Sequence, residues 1–94
     1  MEGRLGISFD QMDGHIWFNG EFVPWADARI HVLSHGLHYA SCVFEGERAY
    51  EGKIFKLREH TERLFSSAQE LGVDIPYSIE DIDAACEEAL NINN

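Results

Sequence analysis

The stretch that decides the fold is residues 34–50, Ser-His-Gly-Leu-His-Tyr-Ala-Ser-Cys-Val-Phe-Glu-Gly-Glu-Arg-Ala-Tyr. Its first part combines small and aromatic residues and predicts a short helix or turn. From residue 43 onward the side chains alternate in character, which is the period-2 pattern of a strand with two unlike faces. Gly46 inside that strand indicates a bulge or a close approach to the backbone. Arg48, beside aromatic residues, is suited to an anion; a core strand with a surface Arg is the alternative interpretation.

The residues before this stretch predict a β-hairpin. Asn19-Gly20 is a strong two-residue turn signal, because both positions accept positive φ, and it separates strands expected at residues 16–18 and 21–24. Residues 1–14 contain three Gly and little periodicity, and we expect a loose arm there, followed by one small domain over residues 15–94. Shorter pieces are expected at residues 25–28 (a turn), 29–33 (a brief extended segment), 50–53 (a second turn) and 53–56 (a returning strand).

Two amphipathic helices are predicted in the second half of the chain. A stripe made of Leu57, His60, Leu64, Ala68 and Leu71 recurs every three or four positions, and Gly72 stands where a left-handed C-terminal cap belongs. Ser78 and Asp81 have the spacing of a capping box at the start of the second helix, which residues 91–94 are expected to end. The order of a hairpin, a strand pair and two helices predicts the α+β class.

Composition excludes several kinds of partner. The chain has 94 residues, 45% of them hydrophobic, and a formal net charge of −10, with no Lys or Arg after Arg63. Such an acidic half would repel a polyanion, so no nucleic-acid partner is expected. No apolar run approaches the roughly 20 residues of a membrane span. The N-terminus lacks the layout of an export signal, so we expect a cytoplasmic protein in which Cys42 and Cys86 are free thiols.

Three groups of residues have both a chemical and a structural interpretation. His31, His35 and His38 would share one face of a helix and could ligate a metal, or they could hydrogen-bond within the fold. Cys42 beside a His could be a nucleophile, although no orienting third group is recognisable, or simply a buried thiol. The Arg-rich start of the first long helix could bind a phosphate or could be a solvated charged face.

Four blocks in this sequence resemble the N-terminal part of branched-chain amino-acid aminotransferases, which are fold-type IV enzymes that use pyridoxal 5′-phosphate. The blocks are residues 16–25 (IWFNGEFVPW), 31–39 (HVLSHGLHY), 43–50 (VFEGERAY) and 55–64 (FKLREHTERL). The resemblance covers about residues 13–94 and implies a small domain with an open α/β sandwich, here incomplete. The Phe-Glu-Gly-x-Arg block favours the branched-chain group over D-amino-acid aminotransferases and aminodeoxychorismate lyases, which share the fold.

The resemblance also implies roles for individual residues. Arg63 matches the Arg that holds the phosphate of the cofactor, and Tyr39 and Phe44 match aromatic residues of the substrate pocket. Gly46 matches a Gly whose backbone lies beside the substrate, and Arg48 matches an Arg next to that pocket. The substrates implied are leucine, isoleucine or valine and 2-oxo acids, and the family state implied is a homodimer or a larger self-association.

Catalysis is not expected from these 94 residues alone. In the resembled enzymes the Lys that forms the Schiff base lies in a larger second domain, and neither Lys53 nor Lys56 matches its position. We therefore expect a fragment that is inactive by itself. A stand-alone binding or oligomerisation module of the same fold is the alternative hypothesis.

Overall fold

The computed structural model describes residues 9–93, which form two short hairpins and three α-helices. Strands β1 (His15–Phe18) and β2 (Glu21–Pro24) pair antiparallel, with Trp17 opposite Phe22. Asn19 and Gly20 connect them with φ values of 52° and 94°. Both values lie in the left-handed region that a two-residue hairpin turn requires, so the predicted first hairpin is confirmed.

The second hairpin is much shorter than the sequence predicts. Only β3 (Ala49–Tyr50) and β4 (Lys53–Ile54) pair, and the Phe55 N–H adds one bond of 2.8 Å to the Arg48 carbonyl. The prediction of a strand over residues 43–50 is therefore wrong for residues 43–48. Alternation fixes which side chains share a face, but a ladder needs a neighbouring strand, and none lies beside residues 43–48 within the described part of the chain.

A short helix and turns connect the two hairpins. Trp25–Asp27 is a single 3₁₀ turn, which confirms the turn predicted at residues 25–28. The extended segment predicted at residues 29–33 is not a strand: residues 32–33 form a turn, closed by the Ser34 N–H, which donates to the His31 carbonyl at 2.9 Å. Helix α1 (His35–Tyr39) follows and ends at Ala40 in the left-handed conformation, which confirms a short helix there.

Helix α2 (Leu57–Glu70) ends as its sequence predicts. Gly72 has φ +73°, its N–H donates to the Gln69 carbonyl at 3.0 Å, and the Val73 N–H donates to the Ala68 carbonyl at 2.9 Å. This pair of bonds is the Schellman arrangement, which needs a residue that tolerates positive φ.

Helix α3 (Ile79–Asn93) begins with the predicted capping box. The Ser78 hydroxyl accepts from the Asp81 N–H at 3.0 Å, and an Asp81 carboxylate oxygen accepts from the Ser78 N–H at 3.2 Å. The helix ends at Asn93, within the residues expected to end it, and Asn93 has hydrogen bonds on two sides. Its side-chain oxygen accepts from the His15 N–H at 2.7 Å, and its amide nitrogen donates to the carbonyls of His15 and Ala89.

The buried part of the molecule is small and lies where α2 faces α3. Among the described residues, Thr61 and Ala68 of α2 are the ones that are fully buried. Trp17 contacts Tyr77 edge to face, with ring centroids 4.9 Å apart, and so packs the first hairpin against the segment that precedes α3. Short antiparallel hairpins with two packed helices confirm the α+β class.

The arm expected over residues 1–14 lies mostly outside the described residues, which begin at Phe9. From there, Phe9–Gln11 forms a 3₁₀ turn, and the Gly14 carbonyl accepts from the Trp25 N–H at 2.9 Å. Within the described part of the chain, none of the helices is both long and apolar enough to cross a membrane.

Candidate functional site

One face of helix α2 carries a cluster of polar side chains built around a single carboxylate. His60 and Arg63 are three residues apart and therefore lie on the same face of the helix. Glu45, from the unpaired segment before β3, reaches this face. It accepts from Arg63 Nε at 2.8 Å and from Arg63 Nη2 at 2.7 Å, and His60 Nδ1 lies 2.6 Å from its Oε1.

The contact between Arg63 and Glu45 is bidentate. One carboxylate oxygen faces Nε and the other faces Nη2, which is the fork geometry in which guanidinium binds carboxylate best. Arg63 thus supplies a donor to each oxygen of Glu45, and His60 Nδ1 adds a second contact to Oε1. The carboxylate is almost fully enclosed, with 8% of its side chain exposed, so these donors replace the water that burial removes.

The same contacts fix the charge state of the cluster. Hydrogen bonds from Arg63 first, and from His60 second, lower the pKa of Glu45 from 4.5 to about 2. The carboxylate in turn raises the pKa of Arg63 above its ordinary value. Glu45 is therefore ionised and Arg63 protonated over the whole physiological range of pH.

Arg63 still presents donors to solvent. Its side chain is 66% exposed, and within residues 9–93 no carboxylate other than that of Glu45 lies within 4 Å of it. A guanidinium has five N–H groups, of which the contacts with Glu45 occupy the Nε–Nη2 edge. The Nη1–Nη2 edge points away from that partner and is suited to an anion such as a phosphate.

Tyr39 and Phe44 are both aromatic and both strongly exposed. Tyr39 is 73% exposed and stacks on His35 with ring centroids 4.4 Å apart, while Phe44 is 87% exposed. Phe44 directly precedes Glu45, so the exposed aromatic and the enclosed carboxylate follow the predicted alternation of faces. No hydrogen bond or ring contact joins Tyr39 or Phe44 to Arg63 among the described residues.

Gly46 and Arg48 continue this segment toward β3. A Cβ placed on Gly46 would meet nothing within 4 Å, so no part of the described chain makes the close approach that its position suggested. Arg48 lines an open groove of about 540 Å³ between residues 45–49 and α3. In this groove, burial raises the pKa of both Glu47 and Cys86.

The other residues considered from the sequence have local contacts. His31 Nδ1 accepts from the Leu33 N–H at 3.0 Å, His38 Nε2 donates to the Val32 carbonyl at 2.7 Å, and His35 contacts the Ser41 hydroxyl. Within residues 9–93 no group of three His, Cys, Asp or Glu side chains is arranged to hold a metal.

Arg58 has a different role from Arg63, although both lie on α2. Its Nε donates to Asp83 of α3 at 2.7 Å, and the buried Thr61 hydroxyl donates to the other oxygen of Asp83 at 2.5 Å. Hydrogen bonding to Asp83 raises the pKa of Arg58. Arg58 therefore ties the two long helices together.

Sequence reasoning singled out Arg63 as a candidate but not Glu45 and His60, which contact it in the structure. The signals were present: His60 has the i, i+3 spacing with Arg63, and Glu45 lies on the less exposed side of an alternating segment. An acidic residue on such a face needs a cationic partner. The sequence did not show which cation it would meet, because Glu45 and Arg63 are 18 residues apart.

With this geometry in place, the comparisons define the class of protein. The profile of the family described as Amino-transferase class IV matches residues 42–94. That range includes the segment of Glu45 and both long helices, and it covers more than half of the chain. The chain therefore belongs to the class IV aminotransferase family.

The relatives narrow this class further. A probable branched-chain-amino-acid aminotransferase of Rickettsia felis is 56% identical over 88 residues, which are 94% of this chain and 30% of the relative. The branched-chain-amino-acid aminotransferase of Pseudomonas aeruginosa is 48% identical over 92 residues, and the match covers 94% of this chain and 30% of the relative. The chain thus spans about 30% of the length of these relatives.

Solved structures agree with this assignment. The crystal structure of Escherichia coli branched-chain amino acid aminotransferase matches with a TM-score of 0.84 at 44% identity, over 88% of this chain and 29% of that one. The branched-chain aminotransferase of the thermophilic archaeon Thermoproteus uzoniensis, solved with norvaline, matches with a TM-score of 0.83 at 38% identity, over 88% of this chain and 29% of that one. The resemblance seen in the sequence is confirmed, together with the fold that it implied.

Proposed function

We propose that this chain is the N-terminal part of a pyridoxal 5′-phosphate-dependent aminotransferase that moves the amino group of leucine, isoleucine or valine to 2-oxoglutarate. The observation that carries the proposal is the Arg63 cluster: an oriented guanidinium with one edge free of Glu45, in a chain 38–56% identical to branched-chain aminotransferases. The activity itself belongs to a longer protein, because the relatives are about three times as long.

The donors at Arg63 fit the phosphate of the cofactor. Arg63 is two-thirds exposed and keeps its charge, and its outward edge carries parallel N–H groups at the spacing of two phosphate oxygens. When bound, the cofactor supplies an electron sink for chemistry at the α-carbon of the amino acid. Arg63 would hold its phosphate, and Glu45 and His60 would hold Arg63.

Four further residues are proposed for the substrate side of the site. Tyr39 and Phe44 offer exposed aromatic surface to a branched aliphatic side chain, which gains from leaving water. The open space at Gly46 lets a ligand approach the backbone closely. Arg48 adds a cation beside this segment, suited to a carboxylate.

The chain by itself is proposed to be inactive. Its lysines are Lys53 in β4 and Lys56, whose Nζ lies 5.7 Å from the centre of the Phe55 ring. Neither lies within helix α2, which carries Arg63. A homodimeric state and a cytoplasmic location are further parts of this proposal, drawn from the resemblance and from the composition.

A donor panel tests the proposed function. The full-length protein that carries this segment is assayed for transfer to 2-oxoglutarate from L-leucine, L-isoleucine, L-valine and D-alanine. We expect turnover with the three branched-chain donors and little with D-alanine. Turnover with D-alanine alone would favour a D-amino-acid aminotransferase, and absence of turnover with every donor would favour the non-catalytic module. Residues 1–94 alone are the matched control, expected not to exceed free cofactor.

A further inference from the structure

The carboxylate of Glu45 is more completely engaged than a stabilising surface ion pair requires. With 8% of its side chain exposed, it places both oxygens on Arg63 and shares one of them with His60 Nδ1. His60 is itself mostly enclosed, at 19% exposure, whereas Arg63 is 66% exposed. The enclosed part of the cluster is thus the acceptor, and the exposed part is the guanidinium that it holds.

The way in which Glu45 holds Arg63 leaves one edge of the guanidinium for a ligand. Glu45 takes the side-on edge, made of Nε and Nη2, at 2.8 and 2.7 Å. Apart from a long contact of Nη2 with His60 Nδ1 at 3.4 Å, the end-on edge, made of Nη1 and the second N–H of Nη2, has no hydrogen-bond partner among the described residues. A planar fork that is fixed along one edge has its other edge fixed as well, so an anion meets donors that are already oriented.

We propose that Glu45 is a positioning residue that presents the Nη1–Nη2 edge of Arg63 to the phosphate of the cofactor, and that His60 keeps Glu45 in place. This inference rests on the proposed function, since it takes that phosphate as the ligand. Glu45 itself does not touch the ligand. It acts by removing the rotamer freedom that a long Arg side chain would otherwise lose on binding.

Charge and orientation predict opposite effects for the removal of Glu45. A neutral residue at position 45 leaves more net positive charge near the phosphate, which favours binding. It also frees Arg63 to sample other rotamers, which disfavours binding. Since Arg63 is largely exposed, solvent and salt screen the charge effect, whereas no screening restores the lost orientation. We therefore expect the loss of orientation to dominate.

A double-mutant cycle tests the inference in the full-length apoenzyme, with affinity for pyridoxal 5′-phosphate as the readout. Glu45→Gln keeps the size of the side chain but presents an amide N–H to a donor, so one of the fork bonds is lost. Ordering one side chain on binding costs enough to weaken affinity by roughly threefold to tenfold. In the Arg63→Ala background the same substitution is expected to change affinity less than about twofold, because nothing remains to be positioned.

The outcomes separate the inference from the proposed function. If Arg63→Ala leaves affinity unchanged, the phosphate assignment itself fails. If Arg63→Ala weakens binding but Glu45→Gln does not, or has the same effect in both backgrounds, only the positioning role is overturned. Tighter binding by Glu45→Gln would mean that charge dominates, which also overturns it.

Two controls keep the test independent of folding. Pyridoxal, which lacks the phosphate, is titrated in parallel, and its affinity is expected not to change with Glu45→Gln; an equal loss for both compounds would overturn the positioning role. Glu45→Asp serves if the Gln variant does not fold. A carboxylate can still accept both fork bonds once Arg63 shifts, so we expect an intermediate affinity, and an affinity at or above that of the wild type contradicts the proposal.

Discussion

Gly14→Ala is expected to destabilise the chain by breaking the contact that joins the start of β1 to the end of α3. Gly14 has φ +126°, a conformation that costs an L residue about 1–3 kcal/mol. A Cβ there would lie 2.7 Å from the side-chain oxygen of Asn93, which is the acceptor for the His15 N–H. Losing that hydrogen bond costs about 0.5–1.5 kcal/mol more.

The sum is about 1.5–4.5 kcal/mol, which for a domain of this size lowers the melting temperature by roughly 6–36 °C. Circular dichroism on thermal and urea unfolding measures it. Gly52→Ala is the matched control, since Gly52 also has positive φ, at +79°, but an added Cβ meets nothing within 4 Å. We expect a clearly smaller loss there. Equal losses at Gly14 and Gly52 would refute the argument from the Asn93 contact.

Three further predictions concern other parts of the chain. Glu45→Gln should lower the melting temperature at pH 6 but not at pH 2. The pKa of Glu45 is about 2 in the folded chain against an ordinary 4.5, so the ionised carboxylate stabilises the fold above pH 4.5 and this effect is lost as the pH falls through 2. If the melting temperatures of the variant and the wild type differ as much at pH 2 as at pH 6, the prediction is contradicted. Ser78→Ala should lower the free energy of unfolding, measured with urea, by about 1 kcal/mol, because α3 loses its cap. The control Ser66→Ala, at an exposed position within α2, should lower it by almost nothing, and equal losses would show that the capping box contributes no stability. Residues 1–94 should self-associate through exposed apolar residues, which are Val32, Leu33, Leu37, Tyr39 and Phe44. The association should be stronger at high salt, because salt screens the repulsion between chains of net charge −10. A monomer up to about 100 μM at both low and high salt, measured by sedimentation equilibrium, would contradict this prediction.

The features that sequence reasoning predicted correctly depend on a few neighbouring residues. The Asn19-Gly20 turn, the Gly72 cap and the Ser78–Asp81 box each satisfy their hydrogen bonds within six residues of chain, so the local sequence contains both partners. The four blocks of the family resemblance added the fold, which no local pattern specified.

The features that were missed depend on distant partners. The contact between Asn93 and His15 spans 78 residues, and the fork between Glu45 and Arg63 spans 18 residues. Residues 43–48 alternate like a strand, yet pairing depends on a neighbour that the alternation does not reveal. The resemblance identified Arg63, but only the folded geometry shows which edge of its guanidinium remains for a ligand.

The most direct test of the central claim compares two arginines on the same helix. Arg63 and Arg58 both lie on α2 and both contact a carboxylate, but Arg58 contacts Asp83 of α3 and is not proposed to hold the phosphate. In the full-length apoenzyme, Arg63→Ala should weaken affinity for pyridoxal 5′-phosphate by roughly tenfold to a hundredfold, the loss expected for charge-assisted hydrogen bonds. Arg58→Ala should lower thermal stability while leaving that affinity within about twofold to threefold. Equal losses of affinity in the two variants would contradict the assignment of the phosphate site to Arg63.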